Sequence, residues 1–230
     1  MSSWPPLDED LVKKIQGMVV EALSAERSLP LALEVIRLAL RWADQLIEAF
    51  EALNPLPRPI VCQAGCSYCC HHTVEATPPE IVLLGQVLNQ FLAPRKLEAL
   101  RGKVLLVAAC KAGKSREELA ALQPKKPCPL LSDHRCLAYP WRPLMCRAMH
   151  SLDRESCRAS LTADQVTGGD EFHLHRYIFT FSIVAGLRQG FQVLGCQTGV
   201  LELSQGLREI LLNPHLGELW LRGERVFGAG

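Results

Sequence analysis

Residues 30–53 read PLALEVIRLALRWADQLIEAFEAL, and this stretch decides the fold class. Its apolar side chains recur every three or four positions, which is the spacing of one helix face. They are Leu31, Val35, Leu38, Trp42, Leu46 and Leu53, flanked by Ile36, Ala39, Ala43, Ile47 and Phe50. Pro30 suits the first helical turn, where its missing N–H has no partner to lose. The stretch therefore predicts a long amphipathic helix packed on a core.

The same periodicity continues on both sides of this helix. Residues 11–22 predict a preceding helix, and TPPEIVLLGQVLNQF (residues 77–91) predicts a following one, with Thr77 and Glu80 as a capping box. Further helices are predicted over 95–111, after a Ser115–Glu118 capping box, over 172–188 with Asp170 as the cap, and over 200–212. KVLLVAA (residues 103–109) is the only segment that could also be a strand, and its neighbours favour helix.

No other segment alternates apolar and polar residues over the length of a strand, so the sequence predicts a mostly α fold. We expect a single helical domain with two cysteine-rich loops that converge on a metal or iron–sulfur site. Within it, residues 1–57 form a helical pair packing on the core and residues 58–160 the cysteine-cluster metal-binding domain. Residues 161–230 form C-terminal helices that belong to the same globule.

The composition excludes several classes of function. The chain has 230 residues, 48% hydrophobic and 21% charged, with a formal net charge of +1. A charge this small gives no electrostatic attraction for nucleic acid or an anionic membrane, so neither is expected as a partner. The N-terminus lacks the pattern of a secretory signal and no apolar run is long enough to span a bilayer, which favours a cytoplasmic location.

Eight of the ten cysteines fall into two sets. The first set is Cys62, Cys66, Cys69 and Cys70, and the second is Cys128, Cys136, Cys146 and Cys157. In a reducing compartment, grouped thiols are more often metal ligands than disulfides, and soft thiolates favour zinc, copper(I) and iron–sulfur clusters. The side chains of adjacent residues tend to point apart. We therefore expect the adjacent pair Cys69 and Cys70 either to bind two different metals or to leave one thiol without a metal. Cys110 and Cys196 lie outside both sets and are expected to be small apolar core residues.

Four further residues are expected to support the ligands. Arg142 and Arg147 flank Cys146 and could offset the negative charge of a cluster, Tyr139 could donate its hydroxyl to a sulfur, and His150 lies close in sequence. His150, together with His71 and His72, could also replace a sulfur as a ligand.

The segment CQAGCSYC (residues 62–69) also fits the C-x3-C-x-aromatic-C motif of radical S-adenosylmethionine enzymes. That family requires a series of βα units after the motif. This chain continues with helical patterns instead, so the match is interpreted as coincidental.

The two cysteine sets together resemble a known family. Three consecutive features carry the resemblance: the segment CQAGCSYCC, a threonine-capped helix that begins PPEI, and the segments CPLL and HRCLAYPWRPLMCR. The resemblance is to the YkgJ-type cysteine-cluster proteins, also called the CxxCxxCC or zinc/iron-chelating family. The resemblance covers residues 62–157. Its most specific pattern is filled by Cys136, Tyr139, Arg142, Pro143, Cys146 and Arg147.

The resemblance implies a metal or iron–sulfur site assembled from both cysteine sets. A related group that shares the signature, the flagellin lysine N-methylases, is associated with a [4Fe–4S] cluster. We therefore expect an iron–sulfur cluster, [4Fe–4S] by preference, with zinc as the alternative. The expected role is redox, metal handling or a cofactor site in a modification system. The alternatives are a cluster-dependent enzyme, such as an S-adenosylmethionine-using protein methyltransferase or an oxidoreductase, and a purely structural zinc site.

Overall fold

Ten α-helices make up most of the chain in the computed structural model, which describes residues 6–122, 125–161 and 172–228. They are α1 (Glu9–Ala25), α2 (Leu29–Leu53), α3 (Pro78–Phe91), α4 (Pro94–Lys111), α5 (Arg116–Leu122), α6 (Leu144–Ala148), α7 (Arg154–Ala159), α8 (Leu174–Val193), α9 (Leu203–Leu212) and α10 (Leu216–Leu221). The prediction of a mostly α fold is confirmed.

The helix-start signals of the sequence are present in the structure. Pro30 lies in the first turn of α2. The backbone N–H of Thr77 donates to Glu80 Oε2 at 2.8 Å, which is one half of the capping box that begins α3. The N–H of Ser115 donates to Glu118 Oε2 at 2.8 Å in the same way. These caps satisfy backbone N–H groups that have no partner inside the helix.

The last third of the chain differs from the sequence prediction. Helix α8 begins at Leu174 and continues to Val193, five residues beyond the predicted end, and the predicted cap Asp170 lies outside the described residues. Helix α9 begins at Leu203 because the two residues before it pair as a strand. Helix α10 was not predicted, since six residues after a proline give too short a periodic pattern.

In the described part of the chain, four two-residue strands form two antiparallel pairs. Strand β1 (Glu75–Ala76) pairs with β4 (Leu201–Glu202), and β2 (Leu131–Ser132) pairs with β3 (Arg135–Cys136). The second pair is a hairpin whose two turn residues, Asp133 and His134, have φ angles of 48° and 60°. Positive φ at both turn residues matches the right-handed twist of the strands. Two-residue strands are too short for alternation to reveal them in the sequence.

Helices α1 and α8 lie side by side in very close contact. A Cβ atom built at Gly186 would lie 2.6 Å from Ile15 Cβ, and one built at Gly190 would lie 2.6 Å from Val19 Cβ. The absence of side chains at these two positions therefore lets the helices approach. This packing also explains why α8 continues through Gly190, since it offsets the low helix propensity of glycine.

A single cluster of buried apolar residues runs from Ile15 on α1 to Phe227 near the end of the chain. Helices α3 and α4 pack against α9, and α2 packs against α3 and α8. The cysteine-bearing segments follow α2 and precede α8, so they lie between helices whose positions this core fixes. Among the described residues, no helix has the length and apolar character needed to cross a membrane.

Candidate metal site

The first cysteine set lies on the segment between α2 and α3. Cys62 precedes a turn in which the N–H of Cys66 donates to the carbonyl of Gln63 at 3.0 Å. Gly65 has φ +88° in this turn, a conformation that favours glycine. Cys69 and Cys70 follow on a 3₁₀ turn (Tyr68–His71).

The second set is spread over three short elements. Cys128 lies just before the β2–β3 hairpin and Cys136 lies on β3. Cys146 lies on α6 and Cys157 on α7. These four positions span 30 residues of sequence, so the fold and not local spacing determines which of them meet.

Two hydrogen bonds, one between backbone groups and one between side chains, join the segments that carry the two sets. The N–H of Cys128 donates to the carbonyl of Cys70 at 2.7 Å. The Ser67 hydroxyl and His134 Nδ1, at the tip of the hairpin, are 3.2 Å apart. The hairpin therefore lies directly against the 3₁₀ turn of the first set.

Four thiols on the segments that meet here interact electrostatically, and we name Cys69, Cys128, Cys136 and Cys146 the hairpin group. Burial raises the pKa of Cys146 well above its ordinary value, and the neighbouring thiols of Cys128, Cys69 and Cys136 raise it further. Burial likewise raises the pKa of Cys128 to about 12, with Cys136 as an additional cause. The pKa of Cys136 is raised by burial and by Cys69. The hairpin group thus combines one thiol of the first set with three of the second.

Two sulfurs of the hairpin group accept hydrogen bonds from backbone N–H groups. Leu130 N–H donates to Cys128, and Ala138 N–H donates to Cys136, in each case from two residues further along the chain. Each bond lowers the thiol pKa and so opposes the effect of burial. Donors aimed at sulfur stabilise thiolate ligands and tune metal centres.

A second group of thiols, which we name the loop group, consists of Cys62, Cys66 and Cys157. Burial raises the pKa of Cys62, and electrostatic interactions with Cys66, Cys69 and Cys157 raise it further. The N–H of Ser151 donates to the Cys62 sulfur and lowers its pKa. Cys69 therefore interacts with both groups.

The remaining cysteine of the first set contacts its neighbour. A hydrogen bond between the Cys69 and Cys70 thiols is the main cause of the strongly raised pKa of Cys69, ahead of burial. The side chains of Cys69 and Cys70 therefore point toward each other, whereas the sequence predicts that adjacent side chains point apart.

The donor set fits a thiolate-bound metal ion or iron–sulfur cluster. None of the ten cysteines forms a disulfide. Seven thiols lie in the two groups defined above, and Cys70 adjoins them. Within the described ranges, no group of three or more Cys, His, Asp or Glu side chains is arranged to hold a metal ion as it stands. Binding therefore requires the thiols to move closer together.

Arg142 lies beside the hairpin group. Its guanidinium lies 4.2 Å from the centre of the Tyr139 ring and donates to the Tyr139 carbonyl at 3.0 Å. It also lowers the pKa of Cys69 and of Cys136 by electrostatic attraction. Tyr139 supports the guanidinium through its ring, and Arg142 supplies positive charge to the thiols.

Arg147 and His150 have other partners. Buried Arg147 forms an ion pair with Asp44 on α2 and donates to the carbonyls of Arg142 and Pro140 at 3.1 and 2.7 Å. His150 donates from Nδ1 to the Ala148 carbonyl at 2.8 Å, and its Nε2 accepts from the N–H of His173 at 2.8 Å. Both side chains hold helices together around the site.

The other two histidines of the sequence prediction lie next to the first set. His71 Nδ1 is buried with no hydrogen-bond partner, directly after Cys70. His72 Nε2 lies 3.1 Å from the Ser160 hydroxyl, beyond the end of α7. Cys196 is buried as predicted, whereas Cys110 on α4 is only half-buried.

The sequence did not reveal the side chains that position the thiols from a distance. Besides capping α3, buried Glu80 accepts from the N–H of Leu144 at 2.7 Å and so fixes the start of α6, two residues before Cys146. Lys111 and Glu202 form a buried ion pair at 2.9 Å, and both act electrostatically on Cys128. Glu80 and Leu144 are 64 residues apart, and Lys111 and Glu202 are 91 residues apart. At such separations, the spacing of residues in the sequence does not predict a contact.

A comparison with family models supports the chemistry of this site. The model named CxxCxxCC, described as a "putative zinc- or iron-chelating domain", matches residues 61–164. No curated protein and no solved structure matches the chain. The matched segment contains both cysteine sets, and it leaves α1, α2 and the helices from α8 onward outside. Residues 61–164 therefore match the model of the zinc- or iron-chelating CxxCxxCC family, which is the family that the cysteine pattern resembles.

Proposed function

We propose that the protein holds an iron–sulfur cluster through the hairpin group, in a redox or metal-handling role. The observation that carries this proposal is the interaction of Cys69, from the first set, with Cys136 and Cys146, from the second. The backbone bond of 2.7 Å from the Cys128 N–H to the Cys70 carbonyl, which joins the segments of the two sets, supports the same proposal.

The electrostatics of the group favour a cation. Cys69, Cys128 and Cys136 each raise the pKa of a neighbouring thiol in the group, because two thiolates at short range repel one another. A bound metal supplies the positive charge that holds them together as thiolates, and the thiol protons are released on binding. An iron–sulfur cluster or zinc would supply this charge when bound.

Arg142 is suited to a negatively charged thiolate centre. A [4Fe–4S]²⁺ core with four thiolates and a Zn²⁺ ion with four thiolates both have net negative charge, and the Arg142 guanidinium interacts with Cys69 and Cys136. The N–H donors to Cys128 and Cys136 would further stabilise sulfur-centred charge and tune the potential of a cluster. Zinc, held by four thiolates in tetrahedral geometry, is the alternative occupant.

The second candidate function, a cluster-dependent enzyme, needs a substrate site, and the one shallow groove described beside the hairpin is the place for it. The groove has a volume of about 300 Å³ and lies between α4 and the hairpin, with Lys96, Lys103, Leu131, Asp133 and Leu137 among its lining residues. Lys96 and Asp133 among apolar residues could bind a small polar molecule near Cys136, whereas Lys103 already donates to the Leu131 carbonyl. A cluster-dependent methyltransferase or oxidoreductase would need such a neighbouring site.

Anaerobic purification followed by absorption spectroscopy and metal analysis tests the proposal. The native chain should show broad absorption near ~400 nm, typical of cysteine-ligated iron–sulfur clusters, with matching iron and sulfide. Cys136→Ser and Cys146→Ser should each lose most of the bound metal. Cys110→Ser is the matched control, because this half-buried cysteine belongs to neither thiol group and should retain the metal.

The other outcomes separate the alternatives. A colourless chain with stoichiometric zinc would replace the cluster by zinc at the same thiols. Full metal retention in both variants would exclude the hairpin group as the site. A change in the electron spin resonance signal on adding S-adenosylmethionine would favour the enzyme.

A further inference from the structure

We propose that Glu80 is the positioning residue of Cys146, because its carboxylate connects the start of α3 to the start of α6 through both of its oxygens. The inference rests on the proposed function of the hairpin group and deepens it, since it names the side chain that holds one candidate ligand in place. Both Glu80 oxygens accept hydrogen bonds from protein donors, so Glu80 acts through Cys146 and not as a ligand itself.

Each oxygen of the Glu80 carboxylate bonds to a different helix. Oε2 accepts from the backbone N–H of Thr77 at 2.8 Å and from the Thr77 hydroxyl at 2.6 Å, at the start of α3. Oε1 accepts from the N–H of Leu144 at 2.7 Å, at the first residue of α6. Only 3% of Glu80 is exposed, so a donor that lost its acceptor here would stay buried without a partner, which is costly.

Helix α6 has no cap of its own. Pro143 precedes it, and a proline side chain cannot accept a hydrogen bond. The helix has five residues, too few to be stable without tertiary partners. Cys146 is its third residue, so the bond from Leu144 to Glu80 fixes the backbone from which the thiol projects. Glu80 is also near enough to raise the pKa of the Cys146 thiol, after the larger effects of burial and the neighbouring thiols.

The other end of this connection is fixed to the core. Thr77 directly follows β1, which pairs with β4. The N–H of Leu203, the first residue of α9, donates to the Val74 carbonyl at 2.9 Å on the other side of β1. The start of α3 is therefore held by the C-terminal part of the chain, and the Glu80 carboxylate transmits this position to α6.

An amide cannot replace the carboxylate at this position. A glutamine side chain has nearly the same shape, but it has one acceptor oxygen and an NH₂ group that only donates. In Glu80→Gln, that NH₂ group would face the N–H of either Thr77 or Leu144. Two control variants separate the connection from helix capping. Thr77→Val removes the hydroxyl donor and keeps the bond to Leu144, and Glu118→Gln changes the same capping bond, 2.8 Å from the Ser115 N–H, at the exposed start of α5.

Alkylation of the full-length chain tests the inference. The native chain and the three variants are freed of metal with chelator and reductant under anaerobic conditions and labelled with iodoacetamide at one pH. Mass spectrometry measures labelling at Cys146, and buried Cys196 is the internal reference for general unfolding. Glu80→Gln should label Cys146 about tenfold faster with Cys196 unchanged, because a lost hydrogen bond to a charged acceptor shifts local opening by about that factor. Both control variants should label at the native rate.

Amide hydrogen exchange in the native chain is a second test that needs no variant to fold. The Leu144 N–H should exchange as slowly as amides inside α3, although N–H groups in a first helical turn have no partner within the helix. Fast exchange at Leu144 would overturn the inference. So would a native labelling rate at Cys146 in Glu80→Gln, or equal increases at Cys146 and Cys196.

Metal analysis separates this inference from the proposed function. After loading with metal, Glu80→Gln should retain less metal than the native chain, and Thr77→Val and Glu118→Gln should retain the native amount. A native chain that binds no metal would overturn the proposed function, while faster labelling of Cys146 alone in Glu80→Gln would still support its positioning by Glu80. Native metal retention together with native Cys146 labelling in Glu80→Gln would overturn the inference and leave the proposed function intact.

Discussion

The imidazole of His150 is held neutral by its surroundings. Its two ring nitrogens face groups of opposite character, the Ala148 carbonyl at Nδ1 and the His173 N–H at Nε2, and only the neutral ring satisfies both. Burial is the main reason that its pKa lies below the ordinary value, and the nearby Arg176, His173 and His175 add to the effect. Protonation would break the bond from His173, the residue that precedes α8.

We expect this residue to make the fold less stable in mild acid. Because the folded pKa of His150 lies below the unfolded one, the unfolded chain binds the proton first. The contribution of neutral His150 to the free energy of unfolding is therefore complete above the unfolded pKa of about 6.5. It is lost as pH falls below that value, and the free energy of unfolding then decreases by at most about 1.4 kcal/mol per pH unit. His150→Gln should show a smaller decrease in unfolding free energy between pH 7 and 5 than the native chain.

Urea unfolding at each pH measures this difference, with both proteins in the same metal-loaded state. His215→Gln at an exposed position is the control and should keep the native slope. Equal slopes in the native chain and His150→Gln would show that the His150 imidazole does not contribute.

At the level of single residues, the sequence identifies candidate ligands but not the groups that support them. The spacing of Cys62–Cys70 and Cys128–Cys146 indicates metal ligands because thiols grouped this closely are seldom explained by packing alone. The donors from Leu130 and Ala138 are backbone groups, so the identity of those residues does not reveal them. Asp44 forms ion pairs with both Arg142 and Arg147, about 100 residues away. It lies on α2, whose apolar periodicity predicts which residues face the core but not which polar residues form ion pairs.

Among the elements, the contact between α1 and α8 tolerates the least change. Gly190→Ala would place a methyl group against Val19, and Gly186→Ala would place one against Ile15 and the Val12 carbonyl. Both substitutions force the helices apart, and we expect each to destabilise the fold by about 1–3 kcal/mol.

The matched control for this prediction lies on α1 itself. Gly17 is also inside a helix, but no atom lies within 4 Å of a Cβ built there. Gly17→Ala should therefore stabilise the chain by about 0.5–1 kcal/mol through helix propensity alone. Urea unfolding compares the three variants, and a neutral or stabilising Gly190→Ala would contradict the close packing of α1 and α8.

Element prediction succeeded where a helix has a long apolar face and a capping signal, as in α2 and α3. It was less accurate where tertiary pairing decides the boundary. Leu201 and Glu202 were predicted as helix but pair with β1, and the β2–β3 hairpin, which carries Cys136, has no periodic pattern at all. Such short strands form because neighbouring elements hold them, not because of their own sequence.

At the scale of the whole molecule, the matched family segment depends on helices outside it. The apolar face of α3 is covered by α2 and α9, and α6 packs against α8. Ile81 and Leu84 on α3 are fully buried together with Leu207 and Ile210 on α9. A fragment limited to the family segment would leave these faces in water.

We therefore expect residues 58–164 expressed alone to lack a cooperative fold. Loss of the covering helices removes apolar burial worth about 25 cal/mol per Å². The fragment should show weak near-ultraviolet circular dichroism and a broad urea transition, in contrast to the full chain. A sharp transition in the fragment, with native-like metal content, would show that it is an independent domain.

The dependence on α9 also has a consequence for biosynthesis. A ribosome releases the chain from its N-terminus, so all eight clustered cysteines are synthesised before Leu207, Ile210 and Trp220, which complete the core. Until then the thiols lie on a nascent chain without the framework that later positions them. Under the proposed function, metal insertion would therefore follow the synthesis of the C-terminal helices that complete the core.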